Sequence, residues 1–168
     1  MTHEAAAGGG TDRTAAAAEV LARLGARGQT LAVAESLTGG LLAATLVDVP
    51  GASEVFRGGL VVYATELKAL LAGVPADLLS ARGPVDPDVA SALARGARER
   101  CRADWGLATT GVAGPTPQDG QPVGRVYVAA AGPAGTQVCE LGLTGGRAEI
   151  RAESVAQALA LLLRCLPD

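Results

Sequence analysis

Residues 31–46 read LAVAESLTGGLLAATL. With Thr30 in front, the apolar run TLAVA has the length and composition of a short buried strand. From Leu41 the apolar residues fall at helical spacing, until Pro50-Gly51 closes the pattern. Between strand and helix stand Glu35, Ser36, Thr38, Gly39 and Gly40: a carboxylate, two hydroxyls and a glycine pair. A strand that passes through a polar turn into a helix is the repeating unit of a layered α/β domain. Such sheets bind ligands beyond the carboxyl ends of their strands, which is where this turn falls.

The same alternation extends outward. A helix is expected over 14–27, capped by Asp12 or Thr14 and ended by GARG, with residues 1–12 as a disordered tail. GGLVVYA reads as a second strand leading into TELKALLAG, a short helix stopped by Gly73 and Pro75. Asp86 in N-cap position with Pro87 behind it starts another helix, running to about residue 103. WGLATTGVAG is a third strand entering a glycine-rich turn. VGRVYVAAAG and TQVCELGL alternate like a hairpin joined at Gly132-Pro133, and a long helix follows Thr144-Gly145-Gly146. The expected architecture is a three-layer α/β/α sandwich with a mixed, mainly parallel sheet of about five strands, in one domain over 13–168.

Composition narrows the function. Of 168 residues 49% are hydrophobic and 18% charged, a globular balance, while aromatics are only 2%. With a formal charge of −3 and so few stacking rings, the chain lacks the footprint of a nucleic-acid binder. No stretch nears the roughly 20 apolar residues of a membrane span, and the start does not read as a secretory signal. Cys101, Cys139 and Cys165 are odd in number and lack metal-type spacing, so reduced thiols in a cytoplasmic protein are expected. The single histidine, His3, sits in the tail, which argues against a Ser-His-Asp site or a histidine-ligated metal.

One basic residue stands apart. Thirteen of the fourteen Lys and Arg side chains are Arg, and Lys68 is the only lysine. Lysine can be deprotonated near neutral pH when desolvated; arginine cannot. A serine hydroxyl needs a base to become a nucleophile, and without histidine a neutral lysine can serve. Ser36 and Lys68 are therefore candidate nucleophile and base, with Tyr63 at the second strand's end as relay or orienting group. The competing reading leaves Ser36 a cap and Lys68 on a solvated helix face.

The other candidates bind. The N–H groups of Gly39 and Gly40 at a helix start, with Thr38, suit an anion or oxyanion, although a plain Thr-Gly-Gly turn explains them equally. Thr109, Thr110 and Gly111 open a long loop after the third strand and can donate to a carboxamide or phosphate; a simple crossover loop is the alternative. Arg147 at a helix start pairs a guanidinium with the positive dipole end, as a phosphate or carboxylate site would.

Read together, AESLTGGLLAATLVDVPGAS, VVYATELKALLAGV, TTGVAGPTPQDGQPVGRVYVA and TGGR resemble, in order and spacing, the C-terminal domain of the CinA (competence/damage-inducible protein A) family, over about 14–166. The resemblance implies an α/β/α fold and hydrolysis of nicotinamide mononucleotide to the nicotinate nucleotide and ammonia, with no cofactor or metal. It places the family's serine–lysine pair on Ser36 and Lys68, its tyrosine on Tyr63, its loop threonine on Thr110 and its late arginine on Arg147. The implied partners are a small pyridine nucleotide and further copies of the chain in a homo-oligomer. Alternatives are a non-catalytic nucleotide-binding or competence-related module, or the same chemistry on a larger pyridine nucleotide. Against the family pattern, the chain is expected to lack the larger N-terminal domain, and it has GPTPQDG for a glycine-richer loop and GGR for GDR.

Overall fold

A computed structural model describes residues 7–167, with side-chain surroundings from Arg13 onward. The elements in chain order are α1 (Ala7–Ala26), β1 (Leu31–Glu35), α2 (Leu41–Val47), β2 (Phe56–Val61), α3 (Thr65–Leu70), α4 (Ala76–Arg82), α5 (Pro87–Arg100), β3 (Trp105–Gly111), β4 (Arg125–Gly132), β5 (Gly135–Gly142) and α6 (Arg147–Cys165), with a 3-10 turn at Ala52–Glu54. Helix α1 begins at Ala7, so the expected tail does not reach through residue 12; residues 1–6 lie outside the described part. The other departure is α4, a two-turn helix that the Gly73-to-Gly83 segment hides between its breakers.

The five strands form one mixed sheet in the order β2-β1-β3-β4-β5. β1 pairs in parallel with both β2 and β3, while the β3–β4 and β4–β5 pairs are antiparallel. Four of the five strands thus point the same way, and only β4 runs against them. The expected hairpin is present, with Gly132 paired to Gly135 across Pro133-Ala134. The chain leaves β1 to one side for β2 and returns on the other side for β3. This reversal opens a crevice beyond the carboxyl end of β1, between it and β3.

Strand alternation sorts the core into two layers. Leu31 and Val33 of β1 join Leu107, Val126 and Val128 beneath α1, α2 and α6. Ala32 and Ala34 face the other way with Ala108, Ala129 and Ala131, beneath α5. The small side chains on that face let α5 approach almost to backbone contact. A Cβ at Gly106 would stand 1.9 Å from the Ala94 carbonyl oxygen, and one at Gly96 would stand 1.8 Å from that of Ala72. Only glycine fits either place. Asp86 caps α5 as expected, accepting from the Asp88 and Val89 N–H groups at 2.8 and 3.3 Å. Among the described residues, no helix is long and apolar enough to cross a membrane.

Candidate active site

The sheet order brings Ser36 and Lys68 together. Ser36 leaves β1 with its N–H donating to the Thr109 carbonyl of β3 at 3.0 Å, which ties it to the crevice floor. Lys68, on α3, is 1% exposed and reaches back along that helix so that its Nζ lies 3.0 Å from Ser36 Oγ. The same Nζ donates to the Val62 carbonyl at 2.8 Å and the Tyr63 carbonyl at 3.4 Å. An ammonium uses all three acceptors. A neutral amine gives its two N–H bonds to the carbonyls and turns its lone pair toward the Ser36 hydroxyl, the arrangement a proton acceptor needs.

Burial lowers the Lys68 pKa from 10.5 to about 8, because desolvation penalises the ammonium; Glu66 and Asp119 oppose the shift by favouring the charged form. At pH 7 about a tenth of the side chain is neutral, rising to half near pH 8.

The turn after Ser36 is largely a support: of its two expected amide donors the Gly39 N–H is already used, while the Gly40 N–H has no partner among the described residues. Gly39 and Gly40 adopt φ of 58° and 101°, left-handed values that glycine takes without strain. The Gly39 N–H is spent on the Ser36 carbonyl and that of Leu41 on the Thr38 carbonyl. Glu35 takes the next two: its Oε1 accepts from Leu42 N–H at 2.8 Å and its Oε2 from Ala43 N–H at 3.0 Å. Gly40 stands in N-cap position without a side chain to cap α2. The buried carboxylate of Glu35, arriving from the strand, caps the helix in its place. Thr38 Oγ1 and Thr109 Oγ1 bond to each other at 2.8 Å inside the core. Thr38, Gly39, Gly40 and Thr109 thus shape the site without lining the cleft.

A residue that the sequence reading missed completes this support. Arg151 of α6 donates through Nε to the Leu37 carbonyl at 2.9 Å and through Nη2 to the Thr38 carbonyl at 2.8 Å. It lies one helical turn from Arg147, and that i, i+4 spacing was the available signal. Arg147 reaches the other wall: Nη1 donates to the Gly114 carbonyl, and Nη2 to Tyr63 Oη at 2.9 Å. Tyr63 is 59% exposed, so its ring stands at the mouth, and its hydroxyl meets Arg147 rather than the Ser36–Lys68 pair.

Thr110 and Gly111 do line the cleft. The Thr110 hydroxyl is committed to the Pro84 carbonyl at 2.6 Å, bracing the segment before α5 instead of awaiting a ligand. A Cβ at Gly111 would come within 2.7 Å of the Arg125 carbonyl oxygen, so its role is close strand approach. The cleft bounded by Ser36, Lys68, Tyr63, Gln118 and Arg147 encloses about 50 Å³, room for a few waters. Among the described residues, no group of three or more His, Cys, Asp or Glu side chains is placed to hold a metal ion.

A buried serine and lysine in hydrogen-bond contact thus lie at a sheet switch point, in a small cleft walled by an arginine and a glycine-rich loop. The model of the CinA C-terminal domain family matches residues 13–166, and the chain belongs to that family. A CinA-like protein of Frankia casuarinae is 54% identical over 147 residues, covering 88% of this chain and 34% of the relative. One from Myxococcus xanthus is 46% identical, covering 91% and 37%. The chain therefore spans about a third of the length of these curated relatives. Among solved structures, a competence/damage inducible protein from Agrobacterium tumefaciens superposes with a TM-score of 0.87 at 34% identity, over 91% of this chain and 94% of that one. A CinA superfamily protein from Escherichia coli gives 0.89 at 32%, over 93% and 92%.

Proposed function

We propose that this domain is an amidohydrolase that deamidates nicotinamide mononucleotide, with Ser36 as nucleophile and Lys68 as base. The observation that carries the reading is the buried 3.0 Å contact between Lys68 Nζ and Ser36 Oγ, with two carbonyls holding the remaining N–H directions. Neutral Lys68 takes the Ser36 proton as Oγ attacks the carboxamide carbon. The developing oxyanion needs donors at the cleft wall. The Leu37 N–H, directly after the nucleophile, has no acceptor among the described residues and lines the cleft.

Collapse of the tetrahedral intermediate breaks the C–N bond, and Lys68 returns its proton to the leaving nitrogen, releasing ammonia. Water then attacks the Ser36 ester with Lys68 again as base, giving the carboxylate and free serine. The phosphate is met by Arg147, which carries further N–H groups, and by the Arg147 and Ala148 amides at the start of α6. A nucleotide exceeds the 50 Å³ present, so its entry requires the Arg147–Tyr63 contact at the mouth to part.

The same proposal includes a homo-oligomer as the assembled form, readable by sedimentation. The chemistry itself is tested by ammonia release from nicotinamide mononucleotide. Wild type turns over, and Ser36→Ala loses turnover while keeping nucleotide affinity within a few-fold. Undiminished release by Ser36→Ala would remove the serine from its role. Binding without release in the wild type would favour a nucleotide-binding module.

A further inference from the structure

The cleft's polar groups divide into committed and uncommitted. Ser36 and Lys68 hold each other. The Thr110 hydroxyl holds Pro84, and the two terminal nitrogens of Arg147 hold Gly114 and Tyr63. Among the described residues lining the cleft, the side chains with a hydrogen-bonding group and no internal partner are Gln118 and Thr65. Gln118 belongs to GPTPQDG, within the loop that joins β3 to β4.

That segment is built to hold Gln118 still. Gln118 N–H donates to the Gln121 carbonyl at 3.1 Å, and Gln121 N–H donates back at 2.8 Å. Asp119 and Gly120 close this two-residue link with φ of 51° and 74°, the left-handed pair of a tight hairpin turn. Gln121 is held in turn by Arg125, whose Nη1 lies 3.4 Å from Gln121 Oε1, and Arg147 pins the loop's base at Gly114. A backbone fixed in this way leaves only side-chain freedom to be lost on binding.

We infer that Gln118 is the specificity residue for the sugar of the substrate, hydrogen-bonding its ribose hydroxyls through both ends of its amide. The inference rests on the function proposed above. With the carboxamide at Ser36 and the phosphate at Arg147, the ribose is the part left to be recognised. Each sugar hydroxyl donates and accepts, and a primary amide offers both complements, whereas the cationic groups of the cleft offer only donors. The residue lies on the loop that also contacts Arg147, so sugar and phosphate recognition share one wall. Thr65, at the start of α3, offers a hydroxyl to the same ligand.

Ribose 5-phosphate is the probe, because it carries the sugar and phosphate without the reacting amide. Calorimetry is run on the wild type, Gln118→Ala and Gly120→Val, the last forcing a side chain onto a left-handed turn position. The wild type binds, and each variant binds about tenfold more weakly. With nicotinamide mononucleotide as substrate, KM rises by the same factor while kcat stays within about twofold. Gln118 is exposed, so thermal melting of Gln118→Ala should match the wild type and exclude misfolding. Equal ribose 5-phosphate affinity in wild type and Gln118→Ala overturns the inference, as does a wild type that does not bind the probe, or a loss confined to kcat. Gln118-dependent probe binding without ammonia release would uphold sugar recognition and sink the amidase reading. Ammonia release with an unchanged KM in Gln118→Ala would do the reverse.

Discussion

The two ends of the sheet differ in a way that size alone misrepresents. At the amino-terminal end of β3, Trp105, Ala130, Gly135, Gln137, Leu161 and Arg164 surround a hollow of about 360 Å³. At the carboxyl end of β1, the cleft over Ser36 and Lys68 encloses about 50 Å³. The larger hollow has a thiol, Cys165, whose pKa burial pushes up, so it is a poor nucleophile, and no base is held against it. The smaller has a hydroxyl within proton-transfer distance of an amine whose charge burial disfavours. Chemistry collects where strands end and helices begin, because that end supplies turns, free amides and convergent side chains. The opposite end is closed by structural pairs such as Thr30 with Asp104 at 2.9 Å and Trp105 with Gln29 at 3.1 Å.

The sharpest way to break this contrast is Lys68→Arg. Arginine keeps the charge and roughly the length but cannot be deprotonated, so ammonia release should fall by about 10²–10⁴, the usual worth of a general base. An active arginine variant would take Lys68 out of that role. Next in size is Arg151→Ala, which frees the Leu37 and Thr38 carbonyls and loosens the turn that carries Ser36. We expect kcat to drop on the order of tenfold with KM little changed, in steady-state kinetics; charge-assisted bonds of this kind are worth about 1.5–3 kcal/mol each. If KM moves and kcat does not, Arg151 contacts substrate instead of supporting the turn.

A smaller effect concerns pH. On the proposed role of Lys68 as a neutral base, kcat/KM should rise with pH and level off above a pKa near 8. Asp119 favours the ammonium, so Asp119→Asn should move that limb to lower pH and raise kcat/KM at pH 7. A shift to higher pH would contradict the sign of that interaction. Least of all, Arg164→Ala at the opposite end should leave kcat and KM for ammonia release within about twofold. A large change there would mean that the 360 Å³ hollow has a part in the reaction.

Much of this was legible in the chain itself. All five strands and every described helix but α4 announced themselves by period and by punctuation: Pro50-Gly51 after α2, Asp86-Pro87 before α5, Gly132-Pro133 inside the hairpin. Helix α4 did not, because seven residues between two breakers carry too little periodicity to be distinguished from loop. Ser36 and Lys68 stood out by residue type, one a hydroxyl at a strand-to-helix turn and the other the chain's single lysine.

The sequence by itself determined the alternation of strands and helices, the family, and the two residues whose chemistry is unusual for this composition. All of these are properties of residue types and short spacings. Only the tertiary structure decided what the surrounding polar groups do. Glu35 turned out to cap α2, the Gly39 N–H to be used by the Ser36 carbonyl, Thr38 to bond Thr109 across 71 positions, and Arg151 to clamp the turn from 113 positions away. The reason is physical: a hydrogen bond is set by which atoms meet within about 3 Å. In a mixed sheet that depends on strand order and helix placement, which no local pattern encodes.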